Sequence, residues 1–154
     1  MLSGIELRPD FILPDLGADS DLQVIERLAD CLFGAGMVRD TFKSAVLKRE
    51  VDYCTGLAFP EMSVAIPHTD PAHVIMPCIA IAALREPVTF RSMGRPNVPC
   101  EVEMVFLLAI TDPDTQVGFL TALIQAFREP GRLPALKACK TAEELTALFQ
   151  SYFD

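Results

Sequence analysis

Both histidines of this chain lie in one short segment, and the first of them directly follows an apolar run. Residues 64–66 are apolar, Pro67 stops the run, and His68 is the next residue, with His73 five positions further on. A side chain at the end of a strand meets solvent while the sheet behind it holds its backbone in place. Imidazole has an unperturbed pKa of about 6.5, so much of it is neutral and nucleophilic near pH 7. The segment therefore predicts a reactive histidine at a strand end.

Two more side chains have the chemistry to hold an anion near this histidine. Gln116 falls in the first turn of a predicted helix that follows an apolar run at residues 102–110. In α/β sheets, sites form beyond the strand ends, where helix N-termini present unpaired N–H groups to anions. Arg49, near the end of an earlier predicted helix, would add a forked cationic donor. If the two strands end at the same sheet edge, His68 faces an anion site.

The composition is that of a folded domain without the charge needed for nucleic acid. The chain has 154 residues, enough for one domain with a sizeable core, and 51% of them are hydrophobic. Its formal net charge is -8. Nucleic acid and anionic membranes both attract positively charged surfaces, so the charge argues against both as partners. We therefore predict a single domain spanning residues 1–154.

Cysteine usage and hydropathy favour a cytoplasmic protein. The number of cysteines is odd and no pair has the Cys-x-x-Cys spacing, which favours neither a disulfide framework nor a zinc site. The first residues lack the basic and apolar regions of a signal peptide, and the longest apolar runs are too short to cross a bilayer. Free thiols in a reducing cytosol are expected at Cys31, Cys54, Cys78, Cys100 and Cys139.

Capping residues and apolar periodicity predict two helices in the first third of the chain. Residues 1–18 are broken by prolines and favour an edge strand or an extended arm. Ser20 and Gln23 then form a capping box for a helix that ends near Gly34. A second helix is expected over residues 40–51.

Three apolar runs predict strands, at residues 62–66, 74–84 and 102–110. The last run is nearly continuous in apolar residues, as expected of a strand that is covered on both faces. Residues 85–101, with their prolines and arginines, are interpreted as a long connection that contains one short strand at residues 88–90.

The last third of the chain is predicted to be helical. Asp112 followed by a proline is typical of a helix start, and Thr141 with Glu144 forms a capping box for a final helix ending near residue 152. A shorter helix is expected between these two. Helices before, between and after strands indicate an α/β layered domain. The buried face of the helix after Asp112 is expected to contain Val117, Leu120, Leu123, Ile124 and Phe127.

Five short segments carry a resemblance to a known family. They read Tyr-Cys-Thr-Gly-Leu at residues 53–57, Val-Ala-Ile-Pro-His-Thr-Asp at 64–70, Pro-Val-Thr-Phe-Arg-Ser-Met-Gly at 87–94, Asp-Pro-Asp-Thr-Gln at 112–116 and Thr-Ala-Glu-Glu-Leu at 141–145. In this order and spacing they resemble the enzyme IIA domains of the fructose–mannitol group of the bacterial sugar phosphotransferase system, the galactitol-type branch most closely. The resemblance spans about residues 5–150. It implies an α/β layered sandwich in which helices flank a mixed β-sheet of about four to five strands.

The resemblance also implies a mechanism. His68 would accept a phosphoryl group from the phosphocarrier protein HPr and pass it to an enzyme IIB, which works with a membrane enzyme IIC. Arg49, in the segment Leu-Lys-Arg-Glu at residues 47–50, would correspond to the family arginine and stabilise the phosphoryl oxygens. An imidazole nitrogen attacks phosphorus only when unprotonated, and the transfer depends mainly on positioning and charge compensation. The resemblance implies neither a cofactor nor a metal.

The chain departs from the mannitol-type and fructose-type members at one position. Those members carry a second active-site histidine early in the helix that begins near Asp112, where this chain has Gln116. Glutamine donates hydrogen bonds, to a phosphoryl oxygen or an imidazole, but it does not take up a proton. A relay between two histidines is therefore not expected. His73 is left either as a support for the site or as a surface residue.

Two other functions stay open at this point. A regulatory domain of the same fold would use the same phosphohistidine to report sugar or nitrogen state to a target protein. A thiol hydrolase would instead pair Cys54 with His68 or His73, although matching residue types do not establish a dyad.

Some residues near the predicted site have two interpretations each. Asp70 either orients an imidazole or belongs to an ordinary turn, and Glu50 is either a solvated charge or a partner for Arg49. The large apolar residues that flank the site in sequence are expected to form a docking rim. These residues are Phe59, Met62, Phe90 and Met93.

Overall fold

The computed structural model describes residues 4–153, and a long antiparallel hairpin forms the centre of its sheet. The two strands of the hairpin are β4 (Cys78–Ser92) and β5 (Arg95–Ala109). Strand β1 (Ile12–Leu16) pairs in parallel with β4, and β3 (Ser63–Ala65) pairs in parallel with β5. Strand β2 (Gly56–Ala58) pairs antiparallel with β3 and meets the end of β4. This five-stranded mixed sheet confirms the predicted α/β architecture and places β1 at an edge of the sheet.

Within residues 4–153, five α-helices cover the sheet. They are α1 (Asp21–Gly34), α2 (Phe42–Asp52), α3 (Pro113–Arg128), α4 (Arg132–Ala138) and α5 (Ala142–Ser151). Helices α1 and α2 share one hydrophobic core with one face of the sheet, and α3, α4 and α5 share a second core with the other face. Alternate residues of β4 and β5 enter the two cores, which explains why their apolar runs are nearly continuous. No helix of the described residues is long and apolar enough to cross a membrane.

Three predicted helix starts are confirmed by their caps, whereas the second helix begins at Phe42, two residues later than predicted. The side chain of Ser20 accepts a hydrogen bond from the Gln23 N–H at 3.1 Å, and Thr141 accepts one from the Glu144 N–H at 3.1 Å. Asp112 accepts one from the Thr115 N–H at 2.9 Å. Each cap satisfies an N–H group that has no partner inside its helix. Residues 1–3, at the start of the predicted N-terminal arm, lie outside the described residues.

The prediction of a long connection at residues 85–101 is wrong. Both strands of the hairpin continue through this region and meet at Met93 and Gly94, where Gly94 adopts a φ of 76° that favours glycine. Val88 and Phe90 are buried at alternate positions, so the outer part of the hairpin has a strand pattern. The pairing is irregular between residues 83 and 88, and the prolines that suggested a loop are tolerated in such an irregular outer hairpin.

Two further details differ from the sequence prediction. The three-residue strand β2 was not predicted, because so short a run carries little periodic signal. Helix α3 buries Phe119, Leu123, Ala126 and Phe127, whereas Val117 is 65% exposed. The apolar residues of α3 form a stripe wider than one helix face, so the sequence alone assigned Val117 to the wrong side.

Candidate active site

His68 leaves the sheet where two parallel strands end side by side. Strand β3 runs beside β5 with Ala65 opposite Val105, and beyond β3 the Leu108 N–H donates to the Pro67 carbonyl at 3.0 Å. The backbone just before His68 is therefore still held by β5. His68 is 9% exposed, so its imidazole is largely shielded from water and not exposed as the strand-end position predicted, because the packing around the strand end covers it. The predicted order of strand, proline and histidine is what the structure shows.

The hydrogen bond of the His68 ring fixes which nitrogen carries the proton. Nδ1 lies 2.9 Å from the carbonyl oxygen of Ile66. A carbonyl oxygen only accepts hydrogen bonds, so Nδ1 donates its proton and the neutral ring keeps its lone pair on Nε2. Burial lowers the pKa of His68, and the positive charge of Arg49 lowers it further, against the opposing effects of the Ile66 hydrogen bond and of Asp70. The imidazole is thus a neutral base at neutral pH.

Arg49 provides the positive charge beside this imidazole. It lies in the last turn of α2, and its guanidinium carbon lies 5.2 Å from the centre of the Tyr53 ring. Its Nε–H is buried and has no hydrogen-bond partner among the described residues. Arg49 also lines an open cleft of about 360 Å³ together with Asp70 and His73. A buried donor without a partner next to an open cleft suits an incoming anion.

Gln116 lies in the first turn of α3. Strand β5 ends at Ala109 and α3 begins at Pro113, so the first turn of α3 lies beyond the strand end that neighbours the His68 segment. The Gln116 Oε1 atom is buried and has no partner among the described residues. The N-terminus of α3 is less open than expected, because the Asp112 carboxylate accepts a hydrogen bond from the Thr115 N–H and also interacts with the Asp114 N–H. Arg49 is therefore the main source of positive charge.

His73 lies on the wall of the cleft and has its own partner. It ends a single turn of 3-10 helix, Pro71–His73, and its Nδ1 lies 2.8 Å from the Thr41 hydroxyl. The Arg39 N–H donates to its backbone carbonyl at 2.9 Å. These contacts fasten the segment after His68 to the start of α2. The structure thus brings His73 to the cleft that Arg49 also lines, without a hydrogen bond between the two imidazoles among the described contacts.

Glu50 has a role that neither sequence interpretation foresaw. It is 3% exposed, and its two carboxylate oxygens accept from Thr55, at 2.9 Å from the backbone N–H and 2.8 Å from the side-chain hydroxyl. Burial raises its pKa to about 7, although both Thr55 hydrogen bonds oppose that shift. It is therefore neither a solvated charge nor an ion-pair partner of Arg49. The only sequence signal was a threonine five residues after a glutamate.

The predicted docking rim is only partly at the surface. Phe90 is completely buried and Met62 is 7% exposed, because both belong to the hydrophobic cores. Phe59 is half-buried, and Met93 is exposed in the hairpin turn. Met93 lines a small cleft with Tyr53, which is 67% exposed. Of the predicted rim, the exposed part therefore lies in the hairpin turn, next to Tyr53 at the end of α2.

The described residues hold neither a thiol dyad nor a metal cluster. The Cys54 thiol is buried and donates to the Ser92 carbonyl at 3.1 Å, so its hydrogen bond goes to the backbone and not to an imidazole. Within residues 4–153, no three histidine, cysteine or acidic side chains come close enough to hold a metal ion. Arg49 acts electrostatically on the His68 imidazole, and the Gln116 amide lies in the first turn of α3.

Comparison with known proteins finds similar sequences and similar folds. The galactitol-specific EIIA component of the phosphotransferase system of Escherichia coli is 25% identical over 108 residues, which are 70% of this chain and 71% of that protein. The nitrogen regulatory protein IIA-Ntr of Neisseria meningitidis superposes with a TM-score of 0.74 at 25% identity, covering 96% of this chain and 99% of that one. Enzyme IIA of the Escherichia coli mannitol system, solved in complex with phosphorylated enzyme IIB, superposes with a TM-score of 0.76 at 20% identity, covering 96% and 99%.

The family model matches nearly the whole chain. It describes the EIIA 2 component of the phosphoenolpyruvate-dependent sugar phosphotransferase system, and it matches residues 6–152. This range includes all five strands and all five helices as well as the site around His68. The components of this family are phosphoryl-transfer proteins. The chain therefore belongs to the EIIA 2 family of the phosphoenolpyruvate-dependent sugar phosphotransferase system.

Proposed function

We propose that this protein accepts a phosphoryl group on Nε2 of His68 and passes it to a second protein. The observation that carries the proposal is the hydrogen bond from His68 Nδ1 to the Ile66 carbonyl, at 2.9 Å. This hydrogen bond leaves the lone pair of the neutral imidazole on Nε2. Burial and Arg49 lower the pKa of this histidine, which keeps the lone pair available at neutral pH.

The proposed transfer needs no proton acceptor. The Nε2 lone pair of His68 forms the new N–P bond while the N–P bond of the donor phosphohistidine breaks, and the donor nitrogen keeps that electron pair. The Nδ1 proton of His68 stays on the ring and continues to donate to Ile66. Because negative charge is spread over the phosphoryl oxygens in the transition state, a nearby guanidinium contributes more than an acid or base would. This fits a site that has glutamine at position 116.

The other site residues divide the remaining work. Arg49 stabilises the phosphoryl oxygens through the Nε–H that has no other described partner. Gln116 donates an amide hydrogen bond to the phosphoryl group, which requires the amide orientation that turns its nitrogen towards His68. His73 supports the site from the cleft wall, through its contact with Thr41 at the start of α2.

The partners we propose are proteins. HPr would be the phosphoryl donor, and an enzyme IIB, paired with a membrane enzyme IIC, would be the acceptor in the cytoplasm. The mannitol enzyme IIA that shares this fold has been solved in complex with phosphorylated enzyme IIB, which supports a IIB partner here. The similarity to galactitol-specific EIIA supports a polyol or sugar of the galactitol kind as the transported substrate.

The test is phosphorylation in a purified relay. The protein is incubated with enzyme I, HPr and phosphoenolpyruvate, and acid-labile phosphate on the chain is measured, followed by its transfer to a galactitol-type IIB. We expect wild type to be labelled and His68→Ala to remain unlabelled, whereas His73→Ala should still be labelled. No label on wild type, or an undiminished label on His68→Ala, would overturn the proposal.

A regulatory role is the second candidate. IIA-Ntr of Neisseria meningitidis is as similar in sequence to this chain as the galactitol component is, at 25% identity, and it covers nearly the whole fold. Both roles require the same phosphohistidine, so the acceptor separates them. Rapid loss of the label to IIB favours transport, whereas a stable label that changes binding to a target regulator favours regulation.

A further inference from the structure

An uninterrupted set of hydrogen bonds joins a buried carboxylate to the His68 imidazole. The Thr55 N–H and hydroxyl donate to the Glu50 carboxylate at 2.9 and 2.8 Å. The Thr55 carbonyl accepts the Ile66 N–H at 3.3 Å. The Ile66 carbonyl in turn accepts from His68 Nδ1 at 2.9 Å. Three hydrogen-bonded steps therefore connect α2, the residue before β2 and the His68 segment.

We propose that Glu50 is a positioning residue that sets the distance and orientation between Arg49 and the His68 imidazole. The proposal rests on the proposed phosphoryl transfer, because that is the reaction in which the two groups must act together. Arg49 and Glu50 are consecutive in the last turn of α2, so any shift of Glu50 shifts Arg49 as well. Glu50 thus fastens Arg49 to the backbone that orients His68.

The end of α2 is held from a second direction, which explains why this junction is stiff. The Arg91 guanidinium donates to the carbonyl of Glu50 at 3.2 Å and to that of Val51. Gly56, directly after Thr55, leaves no space for a side chain, since a Cβ there would lie 2.7 Å from the Arg91 carbonyl oxygen. The start of β2 is therefore packed closely against the backbone of the outer hairpin, and the Arg91 side chain ties the end of α2 to the same hairpin.

Burying an ionisable group here is costly, so a stability role alone does not explain it. A carboxylate that is 3% exposed loses most of its hydration, and an apolar side chain of similar volume would avoid that cost. What an apolar side chain lacks is a directional bond to Thr55. The structure therefore favours a function that depends on the direction of the Glu50 contact.

Two substitutions of Glu50 distinguish the effect of its hydrogen bonds to Thr55 from the effect of its charge. Glutamine can accept the Thr55 N–H through Oε1 and donate through Nε2 to the Thr55 hydroxyl, which both donates and accepts. Glutamine therefore keeps the geometry without charge, whereas Glu50→Leu keeps most of the volume and makes neither bond. Thr55→Val leaves Glu50 in place and removes the hydrogen bond from the Thr55 hydroxyl, while the bond from the Thr55 N–H remains. Thr146→Val is the matched control, because the buried Thr146 hydroxyl bonds the Ala142 carbonyl in α5, on the opposite face of the sheet.

Two readouts are measured on these variants: the first-order rate of phosphoryl transfer from phospho-HPr at saturation, and the ¹⁵N chemical shifts of the His68 ring. We expect Glu50→Leu and Thr55→Val to slow transfer by about tenfold or more and to move the His68 ring shifts. We expect Glu50→Gln to stay within about threefold of wild type with ring shifts close to it. Thr146→Val should match wild type in both readouts. Cooperative unfolding of each variant shows that it is folded.

The ring shifts need no phosphoryl donor, so they separate this inference from the proposed function. If wild type accepts no phosphate, the proposed function fails. Independently of that result, unchanged His68 ring shifts in Thr55→Val would overturn the positioning role of Glu50. If Glu50→Leu does not fold, Thr55→Val decides. Wild-type rates and shifts in Glu50→Leu and Thr55→Val overturn the inference. The inference is also overturned if Glu50→Gln transfers phosphate as slowly as Glu50→Leu, because loss of charge would then explain the slow transfer.

Discussion

His68 Nδ1 donates its hydrogen bond to the carbonyl oxygen of Ile66, only two residues earlier in the chain, at 2.9 Å. The ring is thus oriented by its own backbone and not by a carboxylate. Pro67 between them has a φ that its ring restricts, which limits how far the imidazole can swing away. The tautomer that leaves Nε2 unprotonated is therefore a local property of the segment Ile-Pro-His.

We expect the pKa of His68 to respond to its two charged neighbours in opposite directions. Burial and the Arg49 charge lower that pKa, whereas Asp70 raises it. Arg49→Gln should therefore raise the pKa of His68, and Asp70→Asn should lower it further below the wild-type value. The measurement is the pH titration of the His68 ring signals by NMR. Equal pKa values in both variants would show that neither charge reaches the ring.

Replacing Arg49 by lysine should slow phosphoryl transfer although it keeps the charge. Lysine lacks the forked guanidinium donors of arginine, including the Nε–H that has no other described partner. Hydrogen bonds to charged groups contribute about 1.5–3 kcal/mol each. We expect a transfer rate about 10- to 100-fold lower, measured by rapid-quench labelling from phospho-HPr. The exposed Arg27→Lys in α1 is the matched control and should keep the wild-type rate. A wild-type rate in Arg49→Lys would mean that charge alone suffices.

Glu50 should make the folded state less stable as the pH rises from about 4.5 to about 7. Its pKa is about 7 in the folded protein against 4.5 for an ordinary glutamate, so the folded state binds more protons in that window. Stability therefore falls with increasing pH there, by about 3 kcal/mol in total. The opposing charges of Asp21 and Arg91 both act on this carboxyl group.

The comparison that isolates this effect is wild type against Glu50→Gln, since other groups titrate equally in both. His68, with its lowered pKa, contributes the opposite slope below pH 6.5 and cancels in the difference. Urea unfolding at pH 5 and pH 8 should show the glutamine variant gaining stability relative to wild type as the pH rises. A difference that is constant across this range contradicts the raised pKa of Glu50.

Alanine should destabilise the protein at Gly56 and stabilise it at Gly118. A Cβ at Gly56 would lie 2.7 Å from the Arg91 carbonyl oxygen and 3.0 Å from the Cys100 Cβ, so backbone must move, at a cost of about 1–3 kcal/mol. Gly118 lies within α3 with nothing within 4 Å of the added atom, and alanine there should add about 0.5–1 kcal/mol. Chemical denaturation of both variants measures the difference. Equal effects would show that space at Gly56 is not limiting.

Much of the fold was predictable from local chemistry. The caps at Ser20 and Thr141 were identified from capping boxes and the cap at Asp112 from the proline after it, and all three signals are local in the sequence. The apolar runs identified the central strands, because a sheet covered on both faces leaves no polar alternation. The outer hairpin at residues 85–101 was missed, since its prolines signal a loop locally and only strand pairing across the turn overrides them.

The site divides in the same way. The sequence by itself determined His68, because a strand, a proline and a histidine are adjacent in the chain and their geometry is local. Only the tertiary structure decided the burial of Glu50, its contact with Thr55, and the cleft shared by Arg49 and His73. Such contacts join separate elements, and their burial depends on how the helices pack on the sheet. From sequence alone, a charged residue at the end of a helix, such as Glu50, is expected to be solvated, and only the packing around it shows that it is buried.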